Sequence, residues 1–120
     1  MMREIVGSLP LKVILETAEL GTAELVGRAS LAAMAGGADF VKTSTGKSAA
    51  GGATPLAVRT IARATRAFEE RSGNRVGIKV AGGVRTREQA AVYVELIREG
   101  LGEDWLTPGL FRIGSSTALQ

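Results

Sequence analysis

The sequence predicts an α/β domain in which four parallel strands alternate with helices. Short runs rich in Val, Ile and Leu are separated by longer segments of helical periodicity, and each short run is followed by Gly, Ser or Thr. Strands that are separated by helices in this way pair in parallel through crossover connections. Because no linker or low-complexity tract divides the chain, residues 1–120 are expected to form a single domain.

The first two strand–helix units are recognised by their end signals. The first strand is predicted over residues 11–17, and the next helix begins at the N-cap Thr22 and ends before Gly36 and Gly37. Its predicted apolar stripe consists of Leu25, Ala29, Ala32 and Ala33. The second strand is predicted over residues 39–44, and Thr54 followed by Pro55 predicts another helix start. The core face of that helix comprises Val58, Ile61, Ala62, Thr65 and Phe68.

Two further units complete the predicted fold. The third strand covers residues 75–83, and Thr86 with Gln89 predicts a capping box at the start of the helix that follows. The core face of this helix is predicted to be Val92, Val94, Leu96 and Ile97. Tyr93, the single tyrosine, falls in the same helix and is expected to serve packing. The fourth strand lies within residues 109–116.

The composition excludes several classes of protein. The 120 residues include no cysteine and no histidine, which removes disulfides, thiol chemistry, the usual metal ligands and the commonest general base. No apolar segment reaches the roughly 20 residues of a membrane span, and no signal peptide is recognisable, so a cytoplasmic protein is expected. The net charge of +3 suits anionic partners. Scattered basic residues and 4% aromatic residues favour small phosphorylated ligands over nucleic acid.

In every predicted strand the charged residues stand at positions of one parity, that is, among every second residue. They are Lys12 and Glu16 in the first strand, Lys42 in the second, Lys79 in the third and Arg112 in the fourth. Because alternate side chains point to opposite faces, the apolar residues are expected to face the helices and the charged residues the interior of a barrel. From this pattern alone, an open sheet with one solvent-exposed face is an equal alternative.

The residues that follow the strands favour the barrel. Ligand sites of parallel α/β folds lie at the carboxyl ends of the strands, where glycines allow backbone N–H groups to approach an anion. The loops at this rim contain Gly82, Gly83, Gly114, Ser115 and Ser116, together with the basic residues Lys47 and Arg85. A single glycine-rich turn is explained equally well by a tight bend. Three such turns at one rim, TSTGK after the second strand, AGGVRT after the third and IGSS after the fourth, predict a phosphate site.

Four segments resemble the deoxyribose-phosphate aldolases, a family of class I, Schiff-base aldolases: LKVILETAEL, FVKTSTGK, KVAGGVRT and FRIGSS. The resemblance extends over nearly the whole chain from about Leu11 and implies one (βα)4 half of a TIM-type (βα)8 barrel. It implies that Lys42 forms an imine with acetaldehyde, whose enamine adds to D-glyceraldehyde 3-phosphate to give 2-deoxy-D-ribose 5-phosphate, without a metal or other cofactor. The matching phosphate-binding positions are Gly46, Lys47, Gly82, Gly83, Gly114, Ser115 and Ser116.

Elementary acid–base chemistry agrees with a lysine pair. An amine is nucleophilic only without its proton, and a lysine with the ordinary pKa of roughly 10.4 is almost wholly charged at neutral pH. Burial and a neighbouring cation both lower that pKa, and Lys42 and Lys79 are expected on adjacent strands with the same parity. The resemblance implies that Lys42 is the nucleophile and Lys79 its charged neighbour. Lys12 and Glu16 either complete the polar interior or merely balance charge.

The chain matches only the C-terminal half of that family. The family's catalytic aspartate and its C-terminal tyrosine have no counterpart here, and Val80 stands where a proline is usual. Since four strands leave two open edges, a homodimer that rebuilds eight strands is predicted. Two functions remain open, an aldolase of reduced activity and a non-catalytic phosphate-binding half-barrel. The lysine pair favours the aldolase, because phosphate binding requires no lysine within a strand.

Overall fold

The computed structural model describes residues 9–45 and 49–115. Its strands are β1 Lys12–Ile14, β2 Phe40–Lys42, β3 Gly77–Ala81 and β4 Phe111–Gly114. The helices are α1 Thr17–Leu20, α2 Ala23–Ala35, α3 Pro55–Ser72 and α4 Arg87–Leu101, and a 3₁₀ turn spans Glu103–Trp105. The predicted alternation of strands and helices is confirmed, and α1 is an addition that the sequence did not predict.

All four strands lie in one parallel sheet with the order β1-β2-β3-β4. Ile14, Lys42, Lys79 and Arg112 are register partners in a single row across the sheet. Lys12, Phe40 and Gly77 form a second row two residues earlier on the same face. The prediction that the charged residues share one face is therefore confirmed for Lys12, Lys42, Lys79 and Arg112.

The opposite face of the sheet forms the core with the helices. Val41, Ile78 and Val80 have no exposed surface, and they pack against residues of α3 and α4 such as Ile61 and Ile97. Trp105 of the 3₁₀ turn is equally buried, and its indole N–H donates to the Val76 carbonyl at 3.2 Å. This apolar layer fixes the sheet, and with it the direction in which the charged residues point.

Threonine side chains begin the three longer helices as the sequence predicts. Thr22 accepts a hydrogen bond from the Leu25 N–H, and Thr54 accepts one from the Ala57 N–H. Thr86 and Gln89 form the complete capping box. These caps satisfy backbone donors that otherwise lack a partner at a helix start. They fix α3 and α4 at the same end of the sheet as the loops that follow β2 and β3.

Two details of the first unit differ from the prediction. The strand β1 ends at Ile14, and not at residue 17, because Glu16 adopts a left-handed conformation and Thr17 begins α1. In α2 the predicted core face is also displaced, since Leu25 and Ala32 are exposed. Alanine-rich α2 is apolar on most sides, so periodicity alone could not locate its core face. The buried residues of α2 are Val26, Ser30, Ala33 and Met34.

The core face of α4 also differs at one position. Val92 is exposed, and the neighbouring Tyr93 is buried in its place. The larger aromatic side chain takes the core position, which confirms the packing role that was predicted for Tyr93. Within the described residues, no helix combines the length and the apolar character that crossing a membrane requires.

Candidate active site

Lys42 and Lys79 lie side by side at the centre of the charged face. Their Cα atoms are register partners on β2 and β3, and adjacent strands are separated by about 4.8 Å. Lys79 extends across Gly114 of β4, where a Cβ atom would lie 3.0 Å from the lysine Cε. Gly114 therefore leaves room for the Lys79 side chain, a packing role that its place in a Gly/Ser turn did not predict.

The electrostatic environment acts most clearly on Lys79. Burial lowers its pKa, and repulsion from Lys42, Lys12 and Arg112 lowers it further. The lysine whose pKa is lowered here is the one that the family resemblance makes the charged neighbour of the nucleophile. In its row of the sheet, Lys79 has Lys42 on one side and Arg112 on the other. The nucleophilic role of Lys42 stays a prediction.

Arg112 is held in a fixed position on this face. Its guanidinium lies 4.6 Å from the ring centroid of Phe40, a cation–π contact, and its Nε donates to the Pro108 carbonyl at 2.8 Å. The Phe40 ring in turn lies over Gly77, where a Cβ atom would be 2.5 Å from the ring. The absence of a side chain at Gly77 thus leaves room for the Phe40 ring, and Phe40 orients the Arg112 guanidinium next to Lys79.

The two strands that carry the lysines are tied together at their carboxyl ends by Thr43 and Ser44. The Thr43 hydroxyl accepts a hydrogen bond from the Ala81 N–H at 2.9 Å and donates one to the Ala81 carbonyl at 2.8 Å. The Ser44 hydroxyl donates to the same carbonyl, and neither side chain has exposed surface. The side chains continue the connection between β2 and β3 beyond Lys42 and Lys79.

The glycines of the rim serve different purposes. Gly82 meets Gly52 backbone to backbone, and a Cβ on Gly52 would collide with the Gly82 oxygen. The Ala53 N–H donates to that oxygen at 3.0 Å. Gly83 has a φ of +82°, and a Cβ atom at this position would meet no atom of a non-adjacent residue within 4 Å. Gly82 is thus required for packing, and Gly83 is the glycine that presents backbone to the open rim.

Glu16 connects the loops after β1 and β2. Its carboxylate accepts hydrogen bonds from the Thr45 N–H and the Thr45 hydroxyl, both at 2.8 Å. Its φ of +52° is the single positive value of a non-glycine residue in the described chain. Because β1 has already ended, the parity argument that placed Glu16 in the polar interior does not apply. The residue holds Thr45 at the rim.

A polar cavity of about 380 Å³ lies over the carboxyl ends of β2, β3 and β4. The structure thereby brings together most of the site residues that the sequence predicts. Lys12 lies on the same face of the sheet without lining the cavity, and Gly46, Lys47 and Ser116 lie outside the described residues. The predicted residues that line the cavity are Lys42, Lys79, Gly82, Gly83, Gly114 and Ser115.

Four further residues line this cavity, the polar Thr45 and Arg85 and the apolar Ala81 and Val84. Arg85 is noted at the rim from the sequence, but Thr45 is not singled out there. Its position directly after the second strand was a usable signal, since polar residues at strand ends form ligand sites in parallel sheets. The Ser115 hydroxyl donates to the Val84 carbonyl at 2.9 Å, and this bond joins the loop after β4 to the loop after β3.

Comparisons with known proteins identify close relatives. The model of the DeoC/LacD family aldolases matches residues 2–99. The chain is 48% identical over 118 residues to deoxyribose-phosphate aldolase of Mus musculus and 46% identical over 118 residues to that of Homo sapiens. Each alignment covers 98% of this chain but 37% of the relative. The chain therefore spans little more than a third of the length of these relatives.

The solved structures agree with this partial match. A crystal structure from Toxoplasma gondii ME49, provisionally assigned as a deoxyribose-phosphate aldolase, superposes with a TM-score of 0.85 at 30% sequence identity. The superposition covers 93% of this chain and 44% of that chain. The structural neighbours are TIM-barrel aldolases, which confirms the prediction of an α/β half-barrel.

Proposed function

This chain belongs to the DeoC/LacD family of aldolases, and from that premise we propose that it carries the Schiff-base centre of a deoxyribose-phosphate aldolase-like lyase. Lys42 is the nucleophile, and Lys79 is its proton-exchanging neighbour. The observation that carries the proposal is the pairing of Lys42 and Lys79 in register, on one face of the sheet, beside a polar cavity. Amine chemistry requires a lysine whose proton is lost through burial or a neighbouring cation, whereas phosphate binding requires no lysine within a strand.

In the cleavage direction, the Lys42 amine attacks the C1 aldehyde of open-chain 2-deoxy-D-ribose 5-phosphate. Loss of water from the carbinolamine gives an imine. The C3 hydroxyl of the protonated imine then loses its proton as the C2–C3 bond breaks. The electron pair of that bond forms the C1=C2 double bond of an enamine, and the C=N electron pair moves to the nitrogen. D-Glyceraldehyde 3-phosphate leaves, and protonation at C2 followed by hydrolysis of the imine releases acetaldehyde and the free Lys42 amine.

Lys79 contributes through its lowered pKa. General acid–base catalysis is most efficient when the pKa of the catalytic group lies near the working pH, and a lysine with an ordinary pKa is far above it. Burial and the cations Lys42, Lys12 and Arg112 move the pKa of Lys79 in the required direction. We assign to Lys79 the exchange of protons with the carbinolamine and the enamine, which form at the neighbouring Lys42.

The phosphate is expected at the rim of the same cavity. Gly83 presents open backbone, Arg85 supplies a cation, and Ser115 lies at the end of β4. The glycines Gly82 and Gly114 have packing partners that account for their lack of a side chain, so the phosphate proposal depends chiefly on Gly83 and Arg85. The substrate class is a small phosphorylated sugar or aldehyde.

A second candidate function is a phosphate-binding half-barrel without turnover. It is favoured by the rim of the cavity, where the backbone of Gly83 and the side chain of Arg85 are available to an anion without any use of the lysine pair. On this alternative the rim residues bind phosphate, and the lysine pair is without a catalytic role.

The test is a cleavage assay with 2-deoxy-D-ribose 5-phosphate, in which the release of acetaldehyde is measured. We expect release by the wild-type chain, loss of release in Lys42→Met, and unchanged release in Arg59→Met, an exposed position on the outer side of α3. Failure of the wild-type chain to release acetaldehyde, while phosphate still binds, would favour the second candidate. Equal release by Lys42→Met and wild type would refute Lys42 as the nucleophile.

A further inference from the structure

We propose that the chain has a second ligand site, between the starts of α3 and α4, which takes a small neutral molecule with a carbonyl group and an apolar body. The site is a cavity of about 310 Å³, here called the helix cavity. Neither Lys42 nor Lys79 lines it, so the proposal does not depend on the aldolase chemistry. Its walls include the apolar Ala53, Pro55 and Val92 and the polar Thr54, Gln89 and Tyr93.

The helix cavity has the size and lining of a small-molecule site. Its volume is that of about ten water molecules, since each takes roughly 30 Å³ in the liquid. Sites for small ligands are lined mostly by apolar groups, with a few polar groups that orient the ligand. Val92 lines the cavity and is 47% exposed, so it lies at the opening. Among the described residues, Gly83 alone lines both this cavity and the one over the lysines. The two cavities are therefore neighbours with separate polar groups.

Tyr93 brings a hydroxyl without a protein partner to this cavity. The residue packs in the core and is 6% exposed. Its hydroxyl makes no hydrogen bond with the described residues, and it is not one of the fully enclosed side-chain atoms that lack a partner. The hydroxyl is therefore open to the cavity that Tyr93 lines. Because a buried tyrosine hydroxyl normally has a hydrogen-bond partner, a ligand in the helix cavity supplies the partner that the protein does not.

The polar side chains of the cavity are available mainly as hydrogen-bond donors. The Gln89 Oε1 already accepts two backbone N–H groups at the start of α4, which leaves the side-chain NH₂ group to donate. The Thr54 hydroxyl accepts the Ala57 N–H at 3.1 Å and retains its own proton. Burial raises the pKa of the Tyr93 hydroxyl, which therefore keeps its proton at neutral pH. A ligand that matches these donors carries an acceptor such as a carbonyl oxygen.

The absence of charge from the walls indicates that the ligand is neutral. No Asp, Glu, Lys or Arg is among the described residues that line the helix cavity. A charged group that leaves water is strongly disfavoured unless an opposite charge pairs with it. Arg85 follows Gly83 closely in the sequence, but it lines the cavity over the lysines. The helix cavity therefore favours an uncharged carbonyl compound over a carboxylate or a phosphate.

The test is an NMR titration of the full chain with benzamide, which has a carbonyl oxygen and an apolar ring and forms no imine with lysine. The chain contains one tyrosine, so tyrosine labelled with ¹³C in the ring gives signals of Tyr93 alone. We expect benzamide to shift these signals and those of the Gln89 side-chain amide, with a Kd of about 1 mM or lower. Benzoate, which has the same shape and a negative charge, should bind at least tenfold more weakly. Absence of benzamide binding, or equal binding of benzoate, would overturn the proposal.

Tyr93→Phe removes the hydroxyl and keeps the ring that packs in the core. Benzamide should bind this variant at least fivefold more weakly than wild type, as measured by the Gln89 side-chain signals. Thr60→Val is the matched control, because it removes a hydroxyl of α3 that donates to the Leu56 carbonyl and does not line the cavity. The control should bind benzamide as wild type does. Equal affinity of Tyr93→Phe and wild type would contradict the role of the hydroxyl.

A second pair of variants applies if Tyr93→Phe fails to fold. Val92→Trp places a large side chain at the opening of the cavity, where there is room for it, and should abolish benzamide binding. Ala91→Trp changes an exposed neighbour that does not line the cavity and should leave binding intact. Binding that survives Val92→Trp would place benzamide elsewhere and overturn the proposal.

Two further measurements separate the helix cavity from other occupants and from the aldolase proposal. Lys42→Met should bind benzamide as wild type does, whatever its effect on the release of acetaldehyde. Loss of benzamide binding in Lys42→Met would place the ligand in the cavity over the lysines. Without benzamide, the Tyr93 signals should not depend on protein concentration. A concentration dependence that Val92→Trp removes would identify a second copy of the chain as the occupant, and either result would overturn the proposal.

Discussion

Lys42 and Lys79 are register partners on neighbouring parallel strands, with their side chains on the same face of the sheet. In a parallel sheet this arrangement brings two ammonium groups together unless one of them loses its proton. Burial and the surrounding cations lower the pKa of Lys79, so the folded chain contains repulsion at this position. That repulsion makes the stability of the chain depend on pH.

Lys79→Met is expected to stabilise the folded chain at neutral pH. In the wild type, the folded state binds the Lys79 proton less tightly than the unfolded state does, so the free energy of unfolding rises with pH between the lowered pKa and roughly 10.4. The increase in the free energy of unfolding that Lys79→Met produces should therefore be largest below the lowered pKa of Lys79. It should shrink as the pH rises from that pKa towards the ordinary value of a lysine.

Urea unfolding of both proteins at a series of pH values measures this difference. Arg63→Met, which removes one cation from the outer surface, is the control. Its effect on the free energy of unfolding should not vary with pH over the same range. A stabilisation by Lys79→Met that is independent of pH would argue that the effect comes from the methionine side chain and not from relief of repulsion.

Thr43→Val is expected to destabilise the chain by about 1–3 kcal/mol, because it leaves the buried N–H and carbonyl of Ala81 with fewer partners. Thr65→Val is the matched control. Thr65 is equally buried, but its hydroxyl donates only to the Ile61 carbonyl within α3, so a loss below about 1 kcal/mol is expected. Chemical denaturation measures the free energy of unfolding of both variants. Equal losses would show that the hydrogen bonds between Thr43 and Ala81 stabilise the chain no more than the hydrogen bond of Thr65 within α3.

Gly83→Leu tests the phosphate rim. Gly83 has a left-handed φ, and so does Gly73 at the far end of α3, and a Cβ atom at either position would meet nothing within 4 Å. Both leucine variants should therefore lose about 1–2 kcal/mol of stability from backbone strain. Inorganic phosphate should raise the melting temperature of wild type and Gly73→Leu, but not of Gly83→Leu. Equal protection of all three proteins would mean that Gly83 serves only as a bend.

Local sequence signals account for much of the fold. Thr22, Thr54 and Thr86 mark the helix starts because capping involves residues three positions apart. The alternation around Lys42 and Lys79 predicts a shared face because strand periodicity is a local property. Both predictions depend on neighbouring residues, and both are confirmed.

Contacts between distant segments were not predictable in the same way. Gly52 and Gly82 touch through their backbones, and Phe40 lies between Gly77 and Arg112. These contacts follow from the register of the sheet and from the paths of two loops, which the periodicity of a single segment does not contain. The end of β1 is a similar case, because Glu16 is bonded to Thr45, a residue of another loop.

The central claim, that Lys42 is the imine-forming lysine, is tested most directly by reductive trapping. The chain contains four lysines, so treatment with acetaldehyde and a borohydride reductant, followed by peptide mass mapping, assigns the ethyl group to a residue. At neutral pH we expect one dominant adduct, on Lys42, and slower trapping in Lys79→Met, which removes the amine that exchanges protons with the carbinolamine. Uniform labelling of the lysines, or a folded protein in which Lys42 stays unlabelled, would contradict the claim.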